Sequence, residues 1–513
     1  MSFLLFFTLA GAWSLATPIA GSPDEPSHIV RAAAVVRGQI NGPEVMERQS
    51  VGFIPTEFAN SQFQLPAWYR ELDGVHKCYQ DQWNPASCAP KISSNPTIEP
   101  VTTAAGRYNP FYYLFVGWPS LIVLGPKTIY LMRLASAAFT AALLASAFVT
   151  ASEWRRNARV VKIGVLVAAT PMLLFLGGAV NPNGVESAAG LLAWTAILSA
   201  LMEHRPELLR RRVIRATVAM VIVLEIRPLG PIWIAGAVLT GLMVVDRLAL
   251  RSILRDVGVR ISAGIGVVAT GLALLWSHTH PDHSYIVLPE PLGTKRILHD
   301  TLIMQSDYYY GMIGNFGWLD TPSPFMTYLI WGGVLCTIGT LALMYGKLRE
   351  IVAVLGTTLA VIVIPMVAMA LEAGKLGLIW QGRYLLPLAV GLPLLTAMVI
   401  SRRLPERSVP QLRLPLTVGI ALAMAGTAAF YWAQRRNGIG NVMAQPILHM
   451  QWNPPFGWFT WTLVYLVASF ALVWPLLGRT VRRVPGVPEA GTLPFDPGQA
   501  LSGEFSSRIP VRP

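Results

Sequence analysis

Apolar residues in this chain gather into runs close to the roughly 20 residues that an α-helix needs to cross a bilayer. Twelve such segments are predicted, near residues 3–20, 127–150, 162–180, 184–202, 213–228, 231–246, 260–277, 326–345, 351–371, 384–400, 413–433 and 457–477. Proline interrupts several of them. Three polar stretches between segments are long: 21–126, 278–325 and 434–456. In the first, Pro26 to Val36 reads as a short helix stopped by Gly38. The end of that stretch, from Asn109 to Leu124, is apolar and aromatic but holds Gly117 and Pro119, which predicts an interfacial or re-entrant segment. The expected organisation is one polytopic membrane domain over 1–483 and a disordered tail over 484–513, rich in Pro, Gly and Ser.

Charge in the connectors predicts the orientation. Arg155, Arg156, Arg159 and Lys162 follow the second segment, Arg205, Arg210, Arg211, Arg212 and Arg215 the fourth, and Arg247, Arg251, Arg255 and Arg260 the sixth. Lys347 and Arg349, then Arg402, Arg403, Arg407 and Arg413, then Arg479, Arg482 and Arg483 continue the series. The alternate connectors are poorer in charge. The positive-inside rule then makes both termini cytoplasmic and the three long stretches external, in a multi-pass cell-membrane protein. The first segment lacks a preceding basic residue and could be a signal sequence, with a small-residue cleavage site near Ala16 or Ala20. Its retention is expected, because cleavage would leave an odd number of segments against the connector charges.

Composition agrees with an all-α, polytopic integral membrane protein with external juxtamembrane helices. Of 513 residues, 53% are hydrophobic and 13% charged, against about 25% charged in a soluble domain. The net charge of +13 would otherwise suggest nucleic acid, but the basic residues sit in the short connectors, so nucleic-acid binding is excluded from the expected partners. Of the three cysteines, Cys336 lies in an apolar segment. Cys78 and Cys88 share the first long stretch, where a disulfide on the oxidising side is expected and two free thiols are the alternative.

The richest polar motif is Ser22-Pro23-Asp24-Glu25-Pro26-Ser27-His28-Ile29-Val30-Arg31, directly after the first segment. Its plain reading is helix capping, with Ser22 and Glu25 as a capping box. Pro26 opposes that register, because it lacks an amide. If the helix starts at Pro26, Asp24 and Glu25 hang at its mouth, and His28 and Arg31 share one face. Carboxylates at a membrane boundary are expensive and point to function, as general base or cation ligand for Asp24, with Glu25 in support. Arg227 and the Gln381-Gly382-Arg383-Tyr384 motif are candidate phosphate grips, against snorkelling and belt decoration. In Asn315-Phe316-Gly317-Trp318-Leu319-Asp320, Trp318 could stack on a sugar and Asp320 could accept from its hydroxyls, against an ordinary interfacial turn. The His278-Thr279-His280-Pro281-Asp282-His283 cluster reads as a solvated loop. Asn181-Pro182-Asn183 reads as a turn. No P-loop, dinucleotide fingerprint, GxSxG elbow or HExxH occurs, so ATP-driven transport and serine or zinc hydrolysis lack their usual warrant.

Asp24-Glu25-Pro26 with His28, Asn109-Pro110-Phe111-Tyr112-Tyr113, Phe316-Gly317-Trp318-Leu319-Asp320 and Gln381-Gly382-Arg383-Tyr384 resemble, in order, the polytopic membrane family known as domain of unknown function 2142. That family in turn resembles the C-type (GT-C) glycosyltransferases, membrane enzymes that take sugars from polyprenyl-phosphate donors. The resemblance implies a GT-C-like arrangement, with Asp24 as the catalytic or metal-organising carboxylate and Glu25 beside it. The expected activity is transfer of a sugar from a polyprenyl phosphate to a cell-envelope glycan acceptor on the outer face. Asp24, Glu25, His28, Arg31, Arg227, Trp318, Asp320, Arg383 and Tyr384 are the expected site residues. A divalent cation, Mg or Mn, is a possible cofactor. A transporter or flippase of lipid-linked saccharides and an inactive envelope scaffold are the alternatives. The first would show paired broken helices in two related halves, which the sequence does not display.

Overall fold

Every one of the twelve apolar segments is helical in the computed structural model of the protein, which describes residues 1–51, 54–80, 84–203, 205–286, 292–404, 410–440 and 450–477. Met1–Leu477 forms one unit, and the second, Gly478–Pro513, lies outside the described residues, as does the expected tail at 484–513.

Helix length and apolarity alone do not confirm the expected count of twelve spans. Among the described residues, eight helices are long and apolar enough to cross a membrane, or nine if the bent pair Ala158–Ala168 and Pro171–Gly177 counts as one span. Helix α1 (Ser2–Ala16) and the helix Gly230–Val244 have 15 residues each. At 1.5 Å per residue they reach about 22 Å, short of a hydrocarbon core of about 30 Å. Helix Pro206–Ile226 carries four arginines in its first half. The bent pair turns by 63° at Thr170-Pro171. Proline disfavours helix in the residue before it, and the Thr170 hydroxyl accepts the Leu173 amide at 3.2 Å, starting a new helix.

Burial sorts the helices. The windows in Pro182–Met202 and Gly382–Arg403 are each 83% buried, whereas Val257–Thr279 is 17% and Leu348–Leu376 22% buried. The first two therefore form the centre, and the others present apolar faces outward, as lipid contact allows. Trp13, Phe175, Phe316, Phe430 and Tyr465 interlock between α1 and its neighbours.

The first long connector is more ordered than a loop. Helix α2 (Glu25–Val35) is followed by an antiparallel sheet of β1 (Glu44–Val51), β2 (Ile54–Pro66) and β3 (Ile98–Thr103), with β4 (Tyr285–Ile286) adding to β2 from the second long connector. Phe63 pairs with Val101, and Thr56 with Ile286. These strands were not expected; their alternation of apolar and polar residues is short and sits among stronger helical signals. The expected interfacial segment is a pair of short helices, Phe111–Gly117 and Pro119–Ile122, which leave Leu114, Phe115, Trp118, Leu121 and Ile122 exposed. Gly117 lets this segment touch α2, since a Cβ there would meet the Ala32 carbonyl at 2.4 Å. Cys78 and Cys88 are joined by a disulfide, with Cα atoms 6.1 Å apart.

Candidate active site

Asp24 occupies the N-cap position of α2, but its side chain makes no cap hydrogen bond. Its backbone is left-handed, with φ 60° and ψ 2°. A non-glycine residue there costs about 1–2 kcal/mol, although Asp is among the more tolerant types. The capping reading therefore fails for Asp24. Its Oδ2 instead accepts from Arg383 Nη2 at 2.6 Å, across 359 residues of chain. Burial alone would raise the Asp24 carboxyl, but the charges of Arg383 and Arg227 and the Arg383 hydrogen bond outweigh it and hold the group below its ordinary value. The carboxylate is thus ionised at neutral pH, while 48% of the side chain stays exposed.

His28 lies one helical turn further on. Its Nδ1 is 2.8 Å from the Tyr113 hydroxyl, and its ring stacks on Tyr113. Burial pushes the imidazole down to about 3, against the opposing pull of Asp24. His28 is therefore neutral and works as a packed hydrogen-bonding residue. Between its ordinary value of 6.5 and about 3, the unfolded chain takes up a proton that the folded one refuses. Stability accordingly falls as pH drops through that window, by up to about 1.4 kcal/mol per pH unit from this residue. His28→Gln, which keeps a hydrogen-bonding group beside Tyr113, should flatten this acid limb in thermal unfolding at pH 7 against pH 5. An unchanged slope would contradict a neutral buried imidazole.

Arg383 is held from the other side by Gln381, whose Oε1 accepts from Nε at 2.6 Å. Its Nη2 also approaches the Tyr384 hydroxyl at 3.4 Å, and its Nη1 is buried without a hydrogen-bond partner. The turn that carries it is close-packed: a Cβ at Gly382 would sit 2.1 Å from the Tyr308 carbonyl. Arg227, at the end of helix Pro206–Ile226, lies over the rings of Tyr384 and Tyr108, 4.7 and 5.5 Å from their centroids, and its Nη1 donates to Asn183 Oδ1. Arg227 and Tyr384 line a cavity of about 470 Å³, with Tyr108, Trp233, Trp276 and Trp380 as further aromatic walls and Glu186, Glu225 and Glu372 as carboxylates. Asp24 is not in this wall; Arg383, Tyr384 and Arg227 connect it to the cavity. An open apolar groove along helix Val257–Thr279 shares Asn109 and Glu225 with the cavity.

A family model described as Predicted membrane protein (DUF2142) matches residues 6–392. The chain belongs to that family. All four motifs that carry the resemblance fall inside the matched residues. A comparison with curated proteins finds no match. Among solved structures, the chain is similar to the crystal structure of ArnT from Cupriavidus metallidurans bound to undecaprenyl phosphate, at 14% identity and a TM-score of 0.41, covering 93% of this chain and 76% of that one. It is similar to the apo state of the same protein at 14% identity and a TM-score of 0.43, covering 93% and 75%. At this level of similarity neither fold nor activity passes from those structures to the present chain.

Besides His28, four residues of this DUF2142 member that the sequence suggested for the site have other duties. Glu25 does not face substrate. It is fully buried, and Arg133 grips both its oxygens at 2.7 and 2.6 Å, while the Val180 amide donates to Oε1 at 3.1 Å. Arg133 also donates to the carbonyls of Ser14, Thr17 and Pro18. The Glu25–Arg133 pair thus fastens the turn between α1 and α2 and positions Asp24. Arg31 is fully buried and ties the carbonyls of Ile40 and Tyr108, at 2.6 and 2.8 Å. It therefore positions Tyr108 rather than projecting into the site. Trp318 has one face stacked on His76, 3.9 Å between centroids, and donates its indole N–H to the Ala20 carbonyl. Asp320 accepts from the Trp318 amide, Thr321 and Arg436, which fixes a tight turn with Gly317 and Leu319 at positive φ. This hairpin buttresses the α1–α2 turn and is not an open sugar platform.

Arg133 and Glu186 escaped the sequence reading. The available signal was a lone charge within an apolar helix, which demands a partner or a function. Asp24 is engaged by a guanidinium, and the described residues hold no group of three His, Cys, Asp or Glu placed to bind a metal.

Proposed function

We propose that this DUF2142 protein is a membrane glycosyltransferase of GT-C type that moves a sugar from a polyprenyl-phosphate donor to a cell-envelope acceptor at the outer face. The reading is carried by one observation. An ionised carboxylate, Asp24, is held in a strained backbone and aimed by Arg383 next to an aromatic cavity walled by Arg227. The groove that adjoins the cavity is apolar and suits a prenyl chain, and the cavity suits a polar headgroup.

The contacts support the following roles. Asp24 accepts the proton of the acceptor hydroxyl as its oxygen attacks the anomeric carbon. The new bond joins that oxygen to the anomeric carbon, and the bond from this carbon to the phosphate oxygen breaks. The pair of electrons leaves with the polyprenyl phosphate, whose charge grows from one negative to two. Arg227, already desolvated between two tyrosines, meets that developing charge. Arg383 keeps Asp24 ionised and oriented. The proton passes from Asp24 to water. A lipid-linked donor is also consistent with a sequence that has no nucleotide-binding motif.

The test is transfer from a panel of radiolabelled polyprenyl-phosphate sugars by the purified full chain in lipid. Transfer from at least one donor is expected. A folded protein that transfers from none would reject the proposal in favour of a flippase or a scaffold.

A further inference from the structure

Two buried polar atoms on the wall of the same cavity lack partners. Glu186, on the central helix Pro182–Met202, is 2% exposed, and its Oε1 accepts no hydrogen bond. Trp380 is 7% exposed, and its Nε1 donates none. Both line the cavity of about 470 Å³, together with Trp233, Trp276, Tyr384 and Arg227. A buried polar atom without a partner costs about 1–3 kcal/mol, so water or a ligand in the cavity completes it.

The chemistry of that ligand follows from the pair. One atom needs a donor and the other an acceptor. A hydroxyl supplies both, whereas an ammonium supplies only donors. Arg227 and a hydrogen bond from Trp233 already face the Glu186 carboxyl, so what stays open is the single oxygen Oε1. The surrounding indoles and phenols match the apolar faces of a sugar ring, and the volume exceeds that of one ring.

We infer that this cavity seats the donor's sugar as a neutral polyhydroxylated ring, with Glu186 as its specificity-determining hydrogen-bond acceptor and Trp380 as the complementary donor. The inference rests on the glycosyltransferase reading and names where its sugar binds. Glu225, on the same wall, has one oxygen engaged already, its Oε2 accepting from Asn109 at 2.9 Å.

Binding separates the two ideas. The full chain in lipid nanodiscs would be titrated with short-chain polyprenyl-phosphate hexoses and pentoses and with the same polyprenyl phosphate lacking sugar. Wild type should bind its best sugar-bearing lipid at least about tenfold more tightly than the bare lipid phosphate, the discrimination expected of a site built around hydroxyls. Glu186→Ala should abolish that difference and leave affinity for the bare lipid phosphate within about twofold. Glu186→Gln, which preserves volume and an acceptor oxygen, should retain part of it and confirms that the fold survives. A sugar preference that persists in Glu186→Ala would overturn the inference. Equal binding of both lipids by wild type would also overturn it, while leaving the lipid-phosphate reading intact. Failure of wild type to bind either lipid would remove the glycosyltransferase reading and this inference together.

Discussion

Asp24→Asn should reduce sugar transfer about 10³-fold, the scale of a lost general base, while leaving the protein folded. Asparagine tolerates the left-handed backbone that position 24 adopts. Its side-chain oxygen can still accept from Arg383, so the contact at 2.6 Å is weakened rather than abolished. No cap hydrogen bond is at stake, because Asp24 makes none. What disappears is the negative charge that takes the acceptor's proton. The measurement is initial rate with saturating donor and acceptor, beside thermal unfolding of the same preparation. Equal rates in both proteins would remove Asp24 from the chemistry. Because Arg383 and Arg227 hold the carboxyl below its ordinary value, the wild-type rate should show no acid limb from Asp24 near neutrality. The carboxylate is lost only when pH falls through that depressed value.

The second large effect is on stability. Glu25→Gln should destabilise the protein by roughly 3–5 kcal/mol, because it leaves a guanidinium buried beside a neutral amide. Arg133 and Glu25 are 1% and 0% exposed, so no solvent enters to compensate. Gln preserves volume and one acceptor, but the two-pronged match at 2.7 and 2.6 Å is lost. Arg133 would still hold the carbonyls of Ser14, Thr17 and Pro18, which keeps the effect below that of deleting the arginine. Arg133→Lys should act in the same direction, since an ammonium cannot reproduce the fork. The readout is the midpoint of thermal unfolding in detergent. A variant with an unchanged midpoint and no transfer would return Glu25 to the chemical step.

These two predictions separate neighbouring acids that look alike in the sequence. Asp24 and Glu25 are adjacent, equally acidic and equally close to the first apolar segment. The left-handed backbone at Asp24 sends one side chain toward Arg383 and the other toward Arg133. Nothing local to residues 22–31 specifies that split, because both partners come from distant helices. The Trp318 and Asp320 motif fell the same way. Its residue types suit sugar binding, but His76 and Arg436 arrive from elsewhere in the chain and occupy them. Arg31 was placed on the correct helix face and then satisfied by the backbone of residues 40 and 108.

The sequence by itself determined that the chain is a helical membrane protein, where its helices lie, and which short motifs mark its family. Those properties depend on hydrophobic runs and local composition, which the solvent reads segment by segment. It also singled out Asp24, a carboxylate directly after the first apolar segment, where a charge is costly enough to be informative. Tertiary structure alone decided which charges pair. The Glu25–Arg133 and Asp24–Arg383 contacts span 108 and 359 residues, and neither has a local signature. The cavity too is a tertiary object, since its walls come from residues between Arg107 and Tyr384. It exists because helices that are apolar along their length leave a few polar side chains facing one another, and burial forces those to find partners or await a ligand.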